Sequence, residues 1–400
     1  MDLQYGPEYE EFRAEVQAFL EGWPLSGEEA KLAPDEQEQL FRQRGIERGY
    51  VYRQYPEQYG GGGQPYDPLR EAILQEEYAR ADAPGNSLMQ GPGMLVPTLL
   101  EMGTEEQKRR FIPATLRGEM NWCQGYSEPG SGSDLASLQA TARLEGDEWV
   151  LNGQKIWTSN ALEADYMFGL FRSEPEASKH AGISYLLLPM KQPGIDVRPL
   201  KQLTGAVEFY EVFFDDARTE AGNIVGERGE GWQVSRATLK HERNLIGNPR
   251  MISDQFERLL ALARETQKDG RPAIEDAGIR RQIAAIEGFV RACETSNLRM
   301  LSATIRGEEM KAMLPMMMTK LYSTDVTQMI MKAAYELLGS DGLVEPALGG
   351  NYARENFSAG VVQNYLFSLG PAIAGGASNI QRNIIGERGL GLPRDPRPPR

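Results

Sequence analysis

The apolar residues of this chain change period twice, and that change restricts the fold more than any other feature. In the first third they recur at three- and four-residue spacing: Phe12, Val16, Phe19 and Leu20 share one helical stripe, and Leu69, Ile73 and Leu74 a second, between Gly and Pro breaks. From about Trp122 to about Val225 they gather into short runs, Tyr166 to Phe171, Ile183 to Leu188 and Val207 to Phe214, separated by Gly, Pro and Asp, which predicts strands. After Gly229-Glu230-Gly231-Trp232 the helical period returns, with Phe256, Leu259, Leu260 and Ala263 on one stripe and Met331, Ala334, Tyr335 and Leu338 on another. The expectation is an α+β protein with a helical domain at 1–121, a middle β domain at 122–228 and a helical bundle at 229–400.

A chain of 400 residues, 40% hydrophobic and 25% charged, has material for two or three cores. No apolar run approaches the roughly 20 residues that cross a bilayer. The opening Met1-Asp2-Leu3-Gln4-Tyr5 has no basic flank or apolar signal segment, so a cytoplasmic protein is expected. Cys123 and Cys293 are too few for a disulfide framework, and with His180 and His241 as the two histidines a zinc site has almost no ligands. A formal net charge of -14 argues against nucleic acid as a partner. Tyr59-Gly60-Gly61-Gly62-Gly63 is Gly-rich but lacks the setting of a phosphate loop and reads as an interdomain loop. The Met313 to Met318 run reads as adaptable packing.

Two stretches of the β region carry chemistry. The first is Tyr126-Ser127-Glu128-Pro129-Gly130-Ser131-Gly132-Ser133-Asp134, and the second is Asn152-Gly153-Gln154-Lys155-Ile156-Trp157-Thr158-Ser159-Asn160. Singly, the first is a turn rich in Gly and small hydroxyl residues, and the second reads as a hairpin whose Asn152-Gly153 turn follows the strand Trp149-Val150-Leu151. Together they resemble the acyl-CoA dehydrogenases, whose pattern runs Thr/Ser-Glu-Pro-Gly-Ala-Gly-Ser-Asp and then Asn-Gly-x-Lys-x-Trp-(Ile/Thr)-(Thr/Ser)-Asn. Gly103-Thr104-Glu105-Glu106-Gln107-Lys108 and Ile380-Gln381-Arg382-Asn383 also stand at family positions, so the resemblance covers nearly the whole chain.

The resemblance implies an N-terminal helical domain, a middle β-barrel domain and a C-terminal four-helix bundle. It implies FAD as cofactor, an acyl-CoA substrate, an electron-transfer flavoprotein as electron acceptor and a homotetramer or homodimer. By the same resemblance Trp157 flanks the flavin ring, Ser159 lies near N5, and Tyr126, Ser127 and Gly132 belong to the motif at the ring edge. Ser133 matches a position that touches the CoA chain near the flavin. Two further contacts in the family come from a neighbouring subunit: Arg271 in Asp269-Gly270-Arg271-Pro272 matches a pyrophosphate contact, suited to it by its guanidinium, and the block at 336–342 supplies the other. Gly339, in Glu336-Leu337-Leu338-Gly339-Ser340-Asp341-Gly342, matches a glycine that lets backbone approach the cofactor, and Asn379 stands at a further cofactor position. Glu336 replaces the family's Gln there, and a carboxylate beside a pyrophosphate is unfavourable.

The family reaction needs a base for the α-proton of a thioester. Many members supply a glutamate ahead of the Ile-Gln-Arg block, but here Gly375 occupies that position. A smaller branch takes it from the first long helix of the bundle, and Leu239-Lys240-His241-Glu242-Arg243 matches that context. Glu242 is therefore the expected base, Arg243 a CoA contact, and Gly375 a backbone N–H donor to the thioester oxygen. Two other readings keep the fold: a non-autonomous subunit of a hetero-oligomer, supported by Glu336, Ala377 and Asn379, and a flavin oxidase or monooxygenase.

Overall fold

The structure, a computed structural model, describes residues 6–87, 89–246, 249–343 and 360–394. The chain forms two compact units, one of residues 1–201 with 207–242 and one of 202–206 with 243–400.

The first unit opens with helices α1 (Pro7–Leu20), α2 (Pro34–Glu47), α3 (Pro68–Arg80), α4 (Val96–Met102) and α5 (Glu105–Leu116). Their starts are written in the sequence: α3 is capped by Asp67 accepting from the Leu69 and Arg70 amides, and α5 by a Thr104/Gln107 capping box. The predicted stripes are the buried faces, with Phe12, Val16, Leu20, Ile73 and Leu74 in the core. The Gly-rich stretch after Tyr59 packs within this unit and is not an interdomain loop. Its Gly60 has φ 86°, and a Cβ on Gly61 would lie 2.3 Å from the Tyr55 carbonyl.

Strands β1 (Trp122–Gly125), β2 (Thr141–Glu145), β3 (Glu148–Ser159), β4 (Tyr166–Arg172), β5 (Ile183–Pro189), β6 (Ile195–Leu200), β7 (Phe209–Glu220) and β8 (Ile224–Val225) form one sheet. Its order is β6-β7-β3-β2-β4-β5-β8, with β1 parallel to β4. The helices are tied to it through polar anchors: Gln107 donates to the Gly222 and Ile224 carbonyls at 2.8 and 2.6 Å, and the Trp122 indole donates to Thr115 at 2.9 Å.

The expected hairpin at Asn152-Gly153 is not there. β2 and β3 turn at Gly146-Asp147, where Gly146 has φ 63°, and β3 runs on through Asn152. Asn152-Gly153 makes a bulge against β7 instead. The Asn152 amide and Asp216 bond reciprocally at 2.8 and 3.0 Å, and a Cβ on Gly153 would meet Ala140 Cα at 2.7 Å. Cross-strand partners on the neighbouring strand, which a local reading does not see, turn a hairpin dipeptide into a bulge.

Helix α6 (Gly231–Ile246) follows the sheet. The second unit contains α7 (Pro249–Glu265), a short hairpin of β9 (Gln267–Lys268) and β10 (Arg271–Pro272), α8 (Ala277–Ile305), α9 (Met313–Leu338), α10 (Val361–Ser368) and α11 (Ser378–Ile384). Phe256, Leu259 and Ala263 of α7, Ile283, Ile286 and Val290 of α8, and Ile330, Met331 and Ala334 of α9 share one core, as the stripes predict. Among the described residues no helix is long and apolar enough to cross a membrane, and no group of His, Cys, Asp and Glu could hold a metal ion.

Candidate active site

β3 leaves regular pairing with β7 a second time, between Lys155 and Thr158. The irregularity holds Trp157 at φ 60° with its side chain 59% exposed and its ring edge-on to Phe209 at 6.1 Å. A bulky residue at positive φ is strained and persists when its flanks over-determine it. Here Lys155 and Thr158 on either side are fully buried. Ile156 donates its N–H to the Ser127 carbonyl at 2.9 Å, so the two motifs become neighbours. The first motif turns back at Glu128-Pro129-Gly130-Ser131 through reciprocal backbone bonds of 3.0 and 2.9 Å, and Ser131 Oγ donates to the Asp134 and Leu135 carbonyls.

A buried ion pair locks the motifs together. Lys155 Nζ donates to Glu128 Oε1 at 2.7 Å and to the Tyr126 carbonyl at 3.3 Å, above the Phe171 ring. Glu128 also accepts from the Gln139 and Ala140 amides at 2.6 and 2.9 Å. Burial pushes the Lys155 ammonium down to about 8, against the upward pull of Glu128. Both residues stand inside the two motifs, and the local sequence around either gives no sign of the pairing. It shows only opposite charges in two stretches that otherwise turn or alternate.

Around this lock lie the predicted ring-edge residues. The Tyr126 ring turns inward, edge-on to Phe168 and Tyr185, and the residue is buried as a whole. Ser127 and Ser159 are half-buried, whereas Gly132 and Ser133 are exposed, with open space at Gly130 and Gly132. The Thr158 hydroxyl is buried with no hydrogen-bond partner among the described residues. A flat exposed indole, small hydroxyls and open backbone fit an isoalloxazine, which needs a wall to stack on and short donors at its edge.

On α6, Gly231, Val234, Ser235 and Thr238 form the buried face. Glu242 follows Thr238 by four residues, one turn, on the same helix. The side chains of Glu242 and Arg243 lie outside the described residues. His241 is half-buried and meets Glu101 Oε1 at 3.0 Å; burial holds its imidazole below the ordinary value, against the opposing pull of Glu101.

The remaining predicted residues belong to the second unit. Arg271 is exposed on the hairpin whose turn residues Asp269 and Gly270 have φ 53° and 77°, the conformation Asp-Gly favours, and it has no ion pair among the described residues. Gly339 has φ 55° and ψ -122°, open only to glycine. Glu336 accepts from Gln282 at 2.9 Å and pairs with Lys332 at 3.8 Å. Gly375 has φ 59°, and Asn379 Oδ1 accepts from Arg382 at 3.4 Å. The Gly375 loop is held by buried Lys320, whose Nζ donates to the Pro371 and Gly376 carbonyls at 2.6 and 2.8 Å. Lys320→Met is expected to destabilise the protein by about 3 kcal/mol, read as a lower denaturant midpoint, because both carbonyls lose a charged donor.

Comparison with known proteins gives matches along the whole chain. The acyl-CoA dehydrogenase N-terminal domain matches residues 6–119, the middle domain 123–217 and the C-terminal domain 229–390. The acyl-CoA dehydrogenase IpdE1 of Mycobacterium tuberculosis is 40% identical over 398 residues, covering 96% of this chain and 98% of the relative. The ChsE4-ChsE5 complex of Mycobacterium tuberculosis contains a chain 28% identical, with TM-score 0.79, covering 99% of this chain and 100% of the other. A structure described as the Tcur3481-Tcur3483 steroid ACAD is 29% identical, with TM-score 0.79 and the same coverage of 99% and 100%. The chain belongs to the acyl-CoA dehydrogenase family of flavoprotein oxidoreductases.

Proposed function

We propose that this protein is an FAD-dependent dehydrogenase that converts an acyl-CoA thioester to its trans-2-enoyl-CoA. The observation that carries the reading is the joining of the two motifs by the Ile156–Ser127 bond and the Lys155–Glu128 pair, which sets an exposed Trp157 beside Ser127. Trp157, Ser127, Ser159, Tyr126 and Gly132 would hold the flavin ring; by the family resemblance Arg271 and Gly339 would be contributed by a neighbouring subunit, and Asn379 stands at a further cofactor position. Bound there, FAD would supply the hydride acceptor for the β-hydrogen. Glu242 takes the α-proton, the role a positioned carboxylate base fills in this chemistry. The Gly375 N–H donates to the thioester oxygen as charge develops there, and Arg243 and Ser133 bind the CoA portion. Electrons pass on to an electron-transfer flavoprotein.

The acyl group proposed is bulkier than a straight chain: branched, cyclic or sterol-derived. Support comes from the glycine pair at 375–376, which places no side chain where the family's usual base stands, and from similarity to a protein described as a steroid ACAD. A second reading is a subunit that needs a different partner chain to complete its site. Both structural relatives cited above are named as pairs of chains, and Glu336 brings a carboxylate to a position where the family carries Gln.

The visible spectrum of the chain purified alone separates these readings. Stoichiometric FAD, bleached anaerobically by ring-bearing or branched acyl-CoAs and not by straight ones, is the expected result. A colourless protein that gains flavin when a partner chain is added supports the second reading, and bound flavin that no acyl-CoA bleaches overturns the dehydrogenase assignment.

A further inference from the structure

Inside the first unit a line of three buried hydroxyls runs from helix to sheet and ends on the ring of Tyr126. Thr98 of α4 and Thr238 of α6 meet at 3.0 Å, and Thr238 lies 3.3 Å from the Tyr185 hydroxyl of β5. The Tyr185 ring in turn stands edge-on to that of Tyr126 at 6.2 Å, and Tyr126 follows β1 and opens the first motif. Thr98, Thr238 and Tyr185 are completely buried.

These hydroxyls are not there for want of acceptors. Thr98 has the carbonyl of Met94, in the turn that leads into α4, at 2.7 Å, and Thr238 that of Val234, one turn back in α6, at 3.3 Å. Valine and phenylalanine would fill the same space without desolvating polar groups. A fully buried polar line of this kind specifies one arrangement of the elements it joins. Thr238 stands one turn before Glu242 on α6, and the Tyr126 carbonyl receives Lys155 of the motif lock.

We propose that Thr238 and Tyr185 are positioning residues: the line Thr98–Thr238–Tyr185–Tyr126 fixes the helix that carries the base against the strand end that carries the flavin motif. This rests on Glu242 as base and on residues 126–134 as flavin motif. Neither residue touches the reacting atoms. Their effect is on the register between α6 and β1, and small misplacements of a reacting pair are costly in rate.

The test uses the full chain with FAD and the variants Thr238→Val, Tyr185→Phe and their combination. Two quantities are measured: the rate of flavin bleaching per bound flavin, with the acyl-CoA that bleaches wild type fastest, and amide hydrogen exchange of residues 124–127. The expected result is unchanged FAD content and KM, a rate about tenfold lower in each single variant, and no further loss in the double, as for residues acting as a unit. Exchange at 124–127 should quicken in Thr238→Val although the substitution lies on another element. Tyr185→Phe keeps its ring stacked on Phe168 at 6.0 Å and carries the test if Thr238→Val does not fold. Rates within twofold of wild type with unchanged exchange overturn the proposal. If wild type binds FAD that no acyl-CoA bleaches, the functional reading fails while the exchange measurement still decides the coupling.

Discussion

Glu242→Gln is expected to keep its flavin and to lower the rate at which an acyl-CoA bleaches it by about 10²–10⁴-fold, the range a positioned proton acceptor supplies. Gln matches Glu in shape and cannot accept the α-proton, so the loss falls on the chemical step, with KM little changed. The proposed assignment rests on the match of Leu239-Lys240-His241-Glu242-Arg243 to the family's helix-borne base. Val234, Ser235 and Thr238 are buried on α6, and residue 242 recurs four after Thr238 and seven after Ser235. The usual family position cannot compensate, because Gly375 has no carboxylate. The acidic limb of the rate profile, which reports the base, should disappear in the variant. Turnover like wild type with the best substrate would falsify the assignment and return the search for a base to the other carboxylates of the chain.

What could be read from the sequence divides by range of interaction. Helical stripes such as Phe256-Leu259-Ala263 depend on neighbours a few residues away, and they stand in the structure as expected; the caps at Asp67 and Thr104 found in the structure are equally local. Asn152-Gly153 has the local chemistry of a hairpin, but its outcome was set by Asp216 and Ala140, which are distant in sequence. The same holds for Lys155 and Glu128. Each looks like an ordinary surface charge until the fold closes over both, and a pair of opposite buried charges at a motif junction can be found only when the two motifs are known to touch. Tyr185 and Thr238 were harder still, since a Tyr in an apolar strand and a Thr in an amphipathic helix carry no pattern that links them.

Lys155→Met should cost about 3–5 kcal/mol, the usual penalty for removing one partner of a buried ion pair, seen as a fall of roughly 10 °C in Tm. The surviving Glu128 keeps its two amide donors, from Gln139 and Ala140, but loses the neutralising charge. Because the pair joins the strands that present Ser127 and Trp157, flavin should be retained less tightly as well. Exchanging both partners, Glu128→Gln with Lys155→Met, should cost less than the sum of the single changes. The pH dependence has a definite sign. The folded Lys155 holds its proton only up to about 8, against an ordinary value of 10.5. Between those values the unfolded chain binds a proton that the folded chain does not, so this group's contribution to stability grows as pH rises and is complete above 10.5. It is lost as pH falls through 8. The difference in unfolding free energy between wild type and Lys155→Met should therefore widen from pH 8 to pH 10.5 in denaturant titrations. A difference that stays constant across that window would show that Lys155 titrates normally and that burial does not govern its charge.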